Sequence, residues 1–323
     1  MIIDRGIVRV GMEIEIAQFS NSVTFTDVAE ELIQAGYMMG ERDDWLETHT
    51  YGCTCTRMGC RQVRSGDVVI PPLVSLTYDA SLPSEGAEFV TSTILLAESG
   101  LAPLREIWDI TTRNAVWNNT AINRRGNAAS PSIHLHVSAQ APDVEAKSFS
   151  MPGASVDMQD TVHLLSLFAP EFLALASMAA ETRGLHFRQP LRIPVDNRHH
   201  GFINAKNVSF GEQVYLEWRM WEAAYQDWDY VEAVTYLSAV ITRALLSRDT
   251  FKNMMAMGYA YPYEEKEMLM AVQKDSLDDA LAQVSLARLR LLRDVCLGEI
   301  DDDPHGADIL ANLFMKAEEV YDR

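Results

Sequence analysis

Three short segments of this chain set chemically capable side chains two residues apart. Glu13 and Glu15 lie in GMEIEI, His134 and His136 in SIHLHV, and Glu217 and Arg219 in LEWRM. A fourth segment, DASLPSEGAEFVT, adds Glu88. Residues at i and i+2 of a strand face the same side, and the residues alternating with them here are apolar (Met12, Ile14, Ile133, Leu135, Leu216, Trp218). One face of a sheet then gathers carboxylates, imidazoles and a guanidinium, while the other packs on helices. Crowded carboxylates repel and resist desolvation, so such a face needs cations. Oxygen donors with an occasional imidazole suit Mg²⁺ or Mn²⁺ better than tetrahedral zinc. Each motif alone also fits a solvated strand face or a cross-strand ion pair; their conjunction carries the metal reading.

These motifs need strands beneath them. The alternation predicts strands at Ile7–Ile16, Val74–Tyr78, Ala87–Thr91, Ser132–Val137 and Gln213–Trp218. Helical patterns run over Thr26–Ala35, stopping at Gly36, and over Leu101–Trp117 and Thr161–Glu181. Further helices follow at about Tyr230–Ser247, Glu264–Val272, Leu277–Leu297 and Gly306–Tyr321. Strands scatter through the first two-thirds and helices gather at the end. That pattern argues α+β rather than a doubly wound sheet. The expected organisation is a catalytic domain over residues 1–250 and a helical extension over 251–323 packed on it. An irregular Cys-containing insert occupies about 43–72, and a Pro/Gly/Ser-rich loop occupies about 140–160.

The formal charge is −19, from 27 Lys and Arg against 46 Asp and Glu. That balance disfavours nucleic acid and anionic membranes as partners. The stretch from Arg183 to Arg219 is different, with six basic residues against three acids, a basic wall for a small anion. The start MIIDRGIVRV lacks the pattern of a secretory leader, and no apolar run reaches the roughly 20 residues of a membrane span. Four cysteines do not make a disulfide scaffold in 323 residues, which points to the cytoplasm. The spacing of His49, Cys53, Cys55 and Cys60 could hold a structural zinc ion, or could be reduced thiols in an insert. Cys296 falls in an apolar helical pattern and reads as core, as do Trp218, Trp221 and Trp228 as packing residues. His199 and His200 read as a solvated loop.

The ordered set GMEIEI, DASLPSEGAEFVT, IHLHVS and LEWR resembles the carboxylate–amine ligases, which include phage and bacterial amidoligases, glutamate–cysteine ligases and, more distantly, glutamine synthetase. LLSLFAPEFLALASMAA is similar to the helix that follows the histidine strand in glutamate–cysteine ligases, and the segment from WRMWEAAYQDWDYVEAV to TRAL is similar to their strand-then-helix segment at the arginine. The resemblance covers roughly Val8–Leu246. It implies a curved antiparallel catalytic sheet and ATP-dependent ligation, in which a carboxylate becomes an acyl phosphate that an amine captures. Carried over by motif, Glu13, His134 and Glu217 would hold one Mg²⁺, and Glu15 and Glu88 another. Glu13, Glu88 and Arg219 would act at the transferring phosphoryl group, with Arg219 stabilising its charge and His136 near the nucleotide. Asn204 and Arg183 are weaker candidates for nucleotide or substrate contacts. The implied partners are ATP, a carboxylate and an amine, each a small molecule, peptide or protein side chain, in the cytoplasm (a host's, if phage-encoded). A homo-oligomer is compatible with all of this. Two other readings use the same residues: a ligase fold that has kept binding but lost catalysis, and a metal-dependent hydrolase. A fixed arginine beside the acids suits a phosphoryl group better than hydrolysis.

Overall fold

In the computed structural model the described residues are 7–20, 22–38, 63–65, 68–70, 74–77, 82–96, 101–116, 121–123, 126, 131–141, 161, 165, 168, 171–172, 175, 203–222, 224–259, 286–300 and 303–321. The strands are β1 (Ile7–Ile16), β2 (Val63–Ser65), β3 (Val68–Ile70), β4 (Val74–Thr77), β5 (Ala87–Thr91), β6 (Ile94–Leu95), β7 (Ser132–Gln140), β8 (Ile203–Ser209) and β9 (Gln213–Glu222). The helices are α1 (Phe25–Gln34), α2 (Leu101–Thr112), α3 (Trp228–Ala244), α4 (Arg248–Tyr259), α5 (Leu286–Glu299) and α6 (Pro304–Tyr321). The protein is thus mixed helix and strand, and the β1–β5, β4–β5 and β8–β9 pairs are antiparallel. The chain divides into two compact units, a smaller one of Gly11–Ile94 and Ser99–His134 and a larger one of Met1–Val10, Leu95–Glu98 and Leu135–Arg323.

In the smaller unit the strand order is β4-β5-β1-β7. Ile14 lies opposite Phe89, and Phe89 opposite Leu76, so one face is a continuous apolar layer. Ile14, Ile16 and Phe89 are fully buried, each contributing about 1.5–3 kcal/mol by leaving water. Because side chains alternate, that burial turns Glu13, Glu15 and Glu88 to the opposite face. Helix α1 starts where Thr24 and Asp27 form a reciprocal capping box, and it buries Val28, Ala29 and Leu32. It ends at Gly36, whose φ of +82° lets the Tyr37 and Gly36 N–H groups close on the Leu32 and Ile33 carbonyls. α1 packs against α2.

In the larger unit β7, β9 and β8 are neighbours in that order, and α3 packs on β9, α5 and α6. Asp227 caps α3 by accepting from the Tyr230 N–H at 3.0 Å. Trp218 stacks on Trp221 with centroids 5.9 Å apart, and meets Phe172 edge-on. Their indole N–H groups donate to Thr242 and Ser238 of α3, so both rings are core without an orphaned donor. Cys296 is buried in α5, and burial pushes its thiol well above the ordinary range. These are the packing roles expected from the sequence.

Several boundaries differ from the expectation. β7 and β9 run on to Gln140 and Glu222, because alternation continues past the motif residues. α2 stops at Thr112, and Arg248–Tyr259 forms a helix of its own, α4. The hairpin of β2 and β3 lies inside the insert read as irregular, and β8 lies within the basic stretch Arg183–Arg219, ahead of the expected Gln213–Trp218 strand, where no strand was expected. Thr161, Leu165, Glu171, Phe172 and Leu175 are helical, as the apolar pattern there predicts. The segments Glu264–Val272 and about 142–160 fall outside the described residues. No helix among the described residues is long and apolar enough to cross a membrane.

Candidate metal centre

Four adjacent strands build the site of the smaller unit. β1 carries Glu13 and Glu15, β5 carries Glu88 directly opposite Glu15, and β4 sets Thr77 directly opposite Glu88. β7 contributes Ser132 and His134 to the same face. The register therefore puts two carboxylates side by side, an arrangement that destabilises a sheet unless something neutralises it. Glu13, Glu15 and His134 are buried, and Glu88 is half-buried.

The hydrogen bonds are dense. His134 Nδ1 lies 2.8 Å from Glu13 Oε2, while its Nε2 lies 2.8 Å from the Ser132 hydroxyl and 3.8 Å from Glu15 Oε1. Glu15 Oε2 accepts from the Ser132 backbone N–H at 2.8 Å and from its hydroxyl at 2.9 Å. Thr77 donates its hydroxyl to Glu88. A serine hydroxyl has one proton. When that proton goes to Glu15, His134 donates at both nitrogens and carries its positive charge between the two carboxylates. The second arrangement has a neutral imidazole whose Nε2 accepts from Ser132. Either way the ring is held between Glu13 and Glu15. Ligand atoms of Glu13, Glu88 and His134 all lie within 4.8 Å of one another, close enough for a single cation to be held by all three. Two carboxylate oxygens and one imidazole nitrogen fit the hard divalent ions Mg²⁺ and Mn²⁺.

The larger unit holds the other motif residues. Arg219 Nη1 donates to Glu217 Oε1 at 2.6 Å, and Asn204, opposite Glu217 in the register, donates from Nδ2 to Glu217 Oε2 at 3.2 Å. Asn204 is 1% exposed, and its Oδ1 has no hydrogen-bond partner among the described residues. Leaving a buried carbonyl unsatisfied costs about 1–3 kcal/mol. It is an acceptor available to a ligand donor. His136 Nδ1 lies 2.6 Å from the Tyr215 hydroxyl. Arg219 retains 22% side-chain exposure, so its guanidinium can meet a ligand while bound to Glu217.

No protein-family model and no curated protein matches the chain. The case for function therefore rests on the side chains themselves.

Of the residues singled out from the sequence, Glu13, Glu15, Glu88 and His134 form one cluster in the smaller unit. In that cluster Glu88 shares a potential cation position with Glu13 and His134, whereas the motif correspondence grouped it with Glu15. Glu217, Arg219 and Asn204 form a second cluster in the larger unit, with His136 bonded to Tyr215. Arg183 and the zinc candidates His49, Cys53, Cys55 and Cys60 lie outside the described residues. Sequence reasoning missed Ser132, Thr77 and Tyr215. Ser132 and Tyr215 extend the same two-residue alternation by one step from His134 and Glu217, so the signal was present. Thr77 reaches Glu88 only through strand register, which no local pattern encodes.

Proposed function

We propose that this protein is an ATP-dependent carboxylate–amine ligase working through an acyl phosphate, on a sheet face of the glutamine synthetase and glutamate–cysteine ligase kind. The observation that carries the reading is the convergence of Glu13, Glu88 and His134 on one strand face, with Glu15 beside them. A buried acid facing a half-buried one across paired strands is unfavourable alone and favourable around a divalent cation. Such an ion, when bound, would supply charge neutralisation to a triphosphate and to the phosphoryl group in transfer. The chain's own part is to hold donors rigidly: Ser132 orients Glu15 and the imidazole, and Thr77 orients Glu88. Arg219, fixed by Glu217 yet partly exposed, would bear on phosphate charge. The proposed location is the cytoplasm.

A metal-dependent hydrolase would use the same acids. Arg219 favours phosphoryl transfer over it, because guanidinium is suited to a phosphate and a hydrolase has less need of it.

The test is to incubate the protein with ATP, Mg²⁺ and a panel of amino acids, polyamines and peptides, following ADP release and substrate mass. A new mass equal to the two substrates less water, with one ADP formed per product, supports the proposal. Glu13→Gln and Arg219→Ala should each reduce amide formation at least about 100-fold, the scale for removing one preorganised charge partner. Full activity in both variants would sink the site assignment. No nucleotide binding by calorimetry with Mg²⁺ present would favour a catalytically silent binding protein.

A further inference from the structure

The smaller unit contains a cavity of about 610 Å³ that the metal centre does not use. Its walls include Ala17, Phe19, Val23, Phe25 and Ile122, and the one charged group among its described lining residues is Glu85. We propose that this cavity binds a small organic monocation with an apolar body, such as a primary amine bearing an aromatic or branched side chain.

The volume is that of a pocket for a ligand of amino-acid or dipeptide size. The lining chemistry narrows the class. Apolar residues from three separate segments line the space, and Ile122 remains 58% exposed at its wall, an apolar surface that a ligand would cover. A phosphate or carboxylate ligand is disfavoured, because Glu85 would repel it and no lysine, arginine or histidine stands among the described lining residues. The neighbouring start of α1 does not supply anion binding either, since Asp27 already accepts from the Thr24 N–H at 2.7 Å. A cationic head beside Glu85 with an apolar tail among the rings satisfies both halves of the lining.

The walls are preformed. Ser20 N–H donates to Asn114 at 2.7 Å, and Val116 N–H to Gln18 at 2.9 Å, pinning the segment after β1. On the other side Gly86 lies so close to β1 that a Cβ there would sit 2.7 Å from the Ile16 carbonyl oxygen. This close approach holds Pro83–Glu85 against the end of β1. Ser22 has a left-handed φ of +65° in the cavity wall, a conformation uncommon outside glycine.

The cavity also adjoins the metal centre along the chain. Ala17 follows Glu15 by two residues and Gly86 precedes Glu88 by two, about 7 Å of extended strand. This part of the inference rests on the ligase reading: the bound monocation is the amine substrate, which gives up one ammonium proton to Glu85 or solvent before its nitrogen bonds to the acyl carbon and inorganic phosphate leaves. That substrate is then an apolar amine rather than ammonia or a polyamine.

The experiment uses the full chain without ATP or metal, and three probes that share the phenylalanine side chain: phenylalaninamide (cationic), N-acetylphenylalaninamide (neutral) and N-acetylphenylalanine (anionic), the last two alike in size. Saturation-transfer NMR and calorimetry should rank them cation first and anion last. Ala121→Trp, which adds an indole ring to the cavity lining, should weaken binding of every probe. Glu85→Gln, at an exposed position, should lower the affinity of the cationic probe about fivefold and leave the neutral probe unchanged, as for a partly screened ion pair. Equal binding of cation and anion, or binding untouched by both variants, would overturn the site. If the probes behave as expected but no amine yields an ATP-dependent amide, the cavity stands and the ligase reading falls. If amides form at rates that Ala121→Trp does not change, the cavity is not the amine site.

Discussion

Acids are buried in both units, but their partners differ in kind. In the larger unit Glu171 and Arg288 are 0% and 1% exposed, and the guanidinium grips the carboxylate with Nε at 2.5 Å and Nη2 at 3.3 Å. Arg288 also lies over the Phe168 ring, 5.1 Å from its centre. In the smaller unit Glu13 and Glu15 meet an imidazole, a hydroxyl and a backbone N–H. Guanidinium is a permanent cation, so Glu171 has its counter-charge built in. Imidazole can lose its proton, and a hydroxyl brings no charge. Acids held that way can exchange their counter-charge for a metal ion. The difference separates a pair that ties helices together from a cluster suited to chemistry.

The largest expected effect lies on the structural side. Arg288→Met should cost about 3–5 kcal/mol of stability, because it leaves a buried carboxylate without its cation. Urea unfolding measures this, and replacing Glu171 as well by leucine should recover most of the loss. A cost near zero would erase the distinction between the two regions.

Next comes the metal. At a concentration a hundredfold above its Kd, Mg²⁺ or Mn²⁺ should stabilise the fold by about 2.7 kcal/mol, read as a rise in Tm. Glu13→Gln should abolish that rise without lowering the metal-free Tm. A rise that survives Glu13→Gln and disappears in Arg288→Met would invert the assignment.

A third effect is pH dependence. Burial pushes the Glu171 carboxyl up, against the pull of Arg288. The folded state therefore holds that proton more tightly than the unfolded chain. Its contribution to stability is fully present below the unfolded carboxylate range and is lost as pH rises through the folded value. Glu171→Gln should flatten this part of the stability profile between acid and neutral pH, as followed by denaturant midpoints.

The smallest effect concerns Tyr37, whose hydroxyl donates to Glu106. Desolvation, together with the Glu106 carboxylate, raises its pKa to about 12. The ultraviolet titration difference between the parent chain and Tyr37→Phe should therefore appear near that pH, and Glu106→Gln should move it down toward 10. A difference already centred at 10 would remove this contact from the picture.

The strands bearing Glu13, Glu88, His134 and Glu217 were legible because strict alternation against an apolar face is a local signal. Gly36 announced the end of α1 for the same reason, since capping is settled within a few residues, whereas the start lies one residue before the expected Thr26, at Phe25 behind the Thr24 cap. β8 was missed because INAKNVS carries too few apolar side chains to show a period, and it becomes a strand by pairing with β9. Asn204 owes its burial to that pairing. Glu171 and Arg288 are 117 positions apart, and nothing local to either residue announces the other.

By itself, then, the sequence determined which side chains share a strand face, where the principal helices lie and that the chain is strongly acidic. Those properties depend on neighbours a few residues away. Tertiary structure alone decided that Glu88 stands opposite Glu15 and beside Thr77, that His134 bridges Glu13 and Glu15, and that a cavity opens beyond the end of β1. Each depends on strand register and on the approach of segments distant along the chain. Register follows from packing the whole apolar layer at once, and no single segment encodes it.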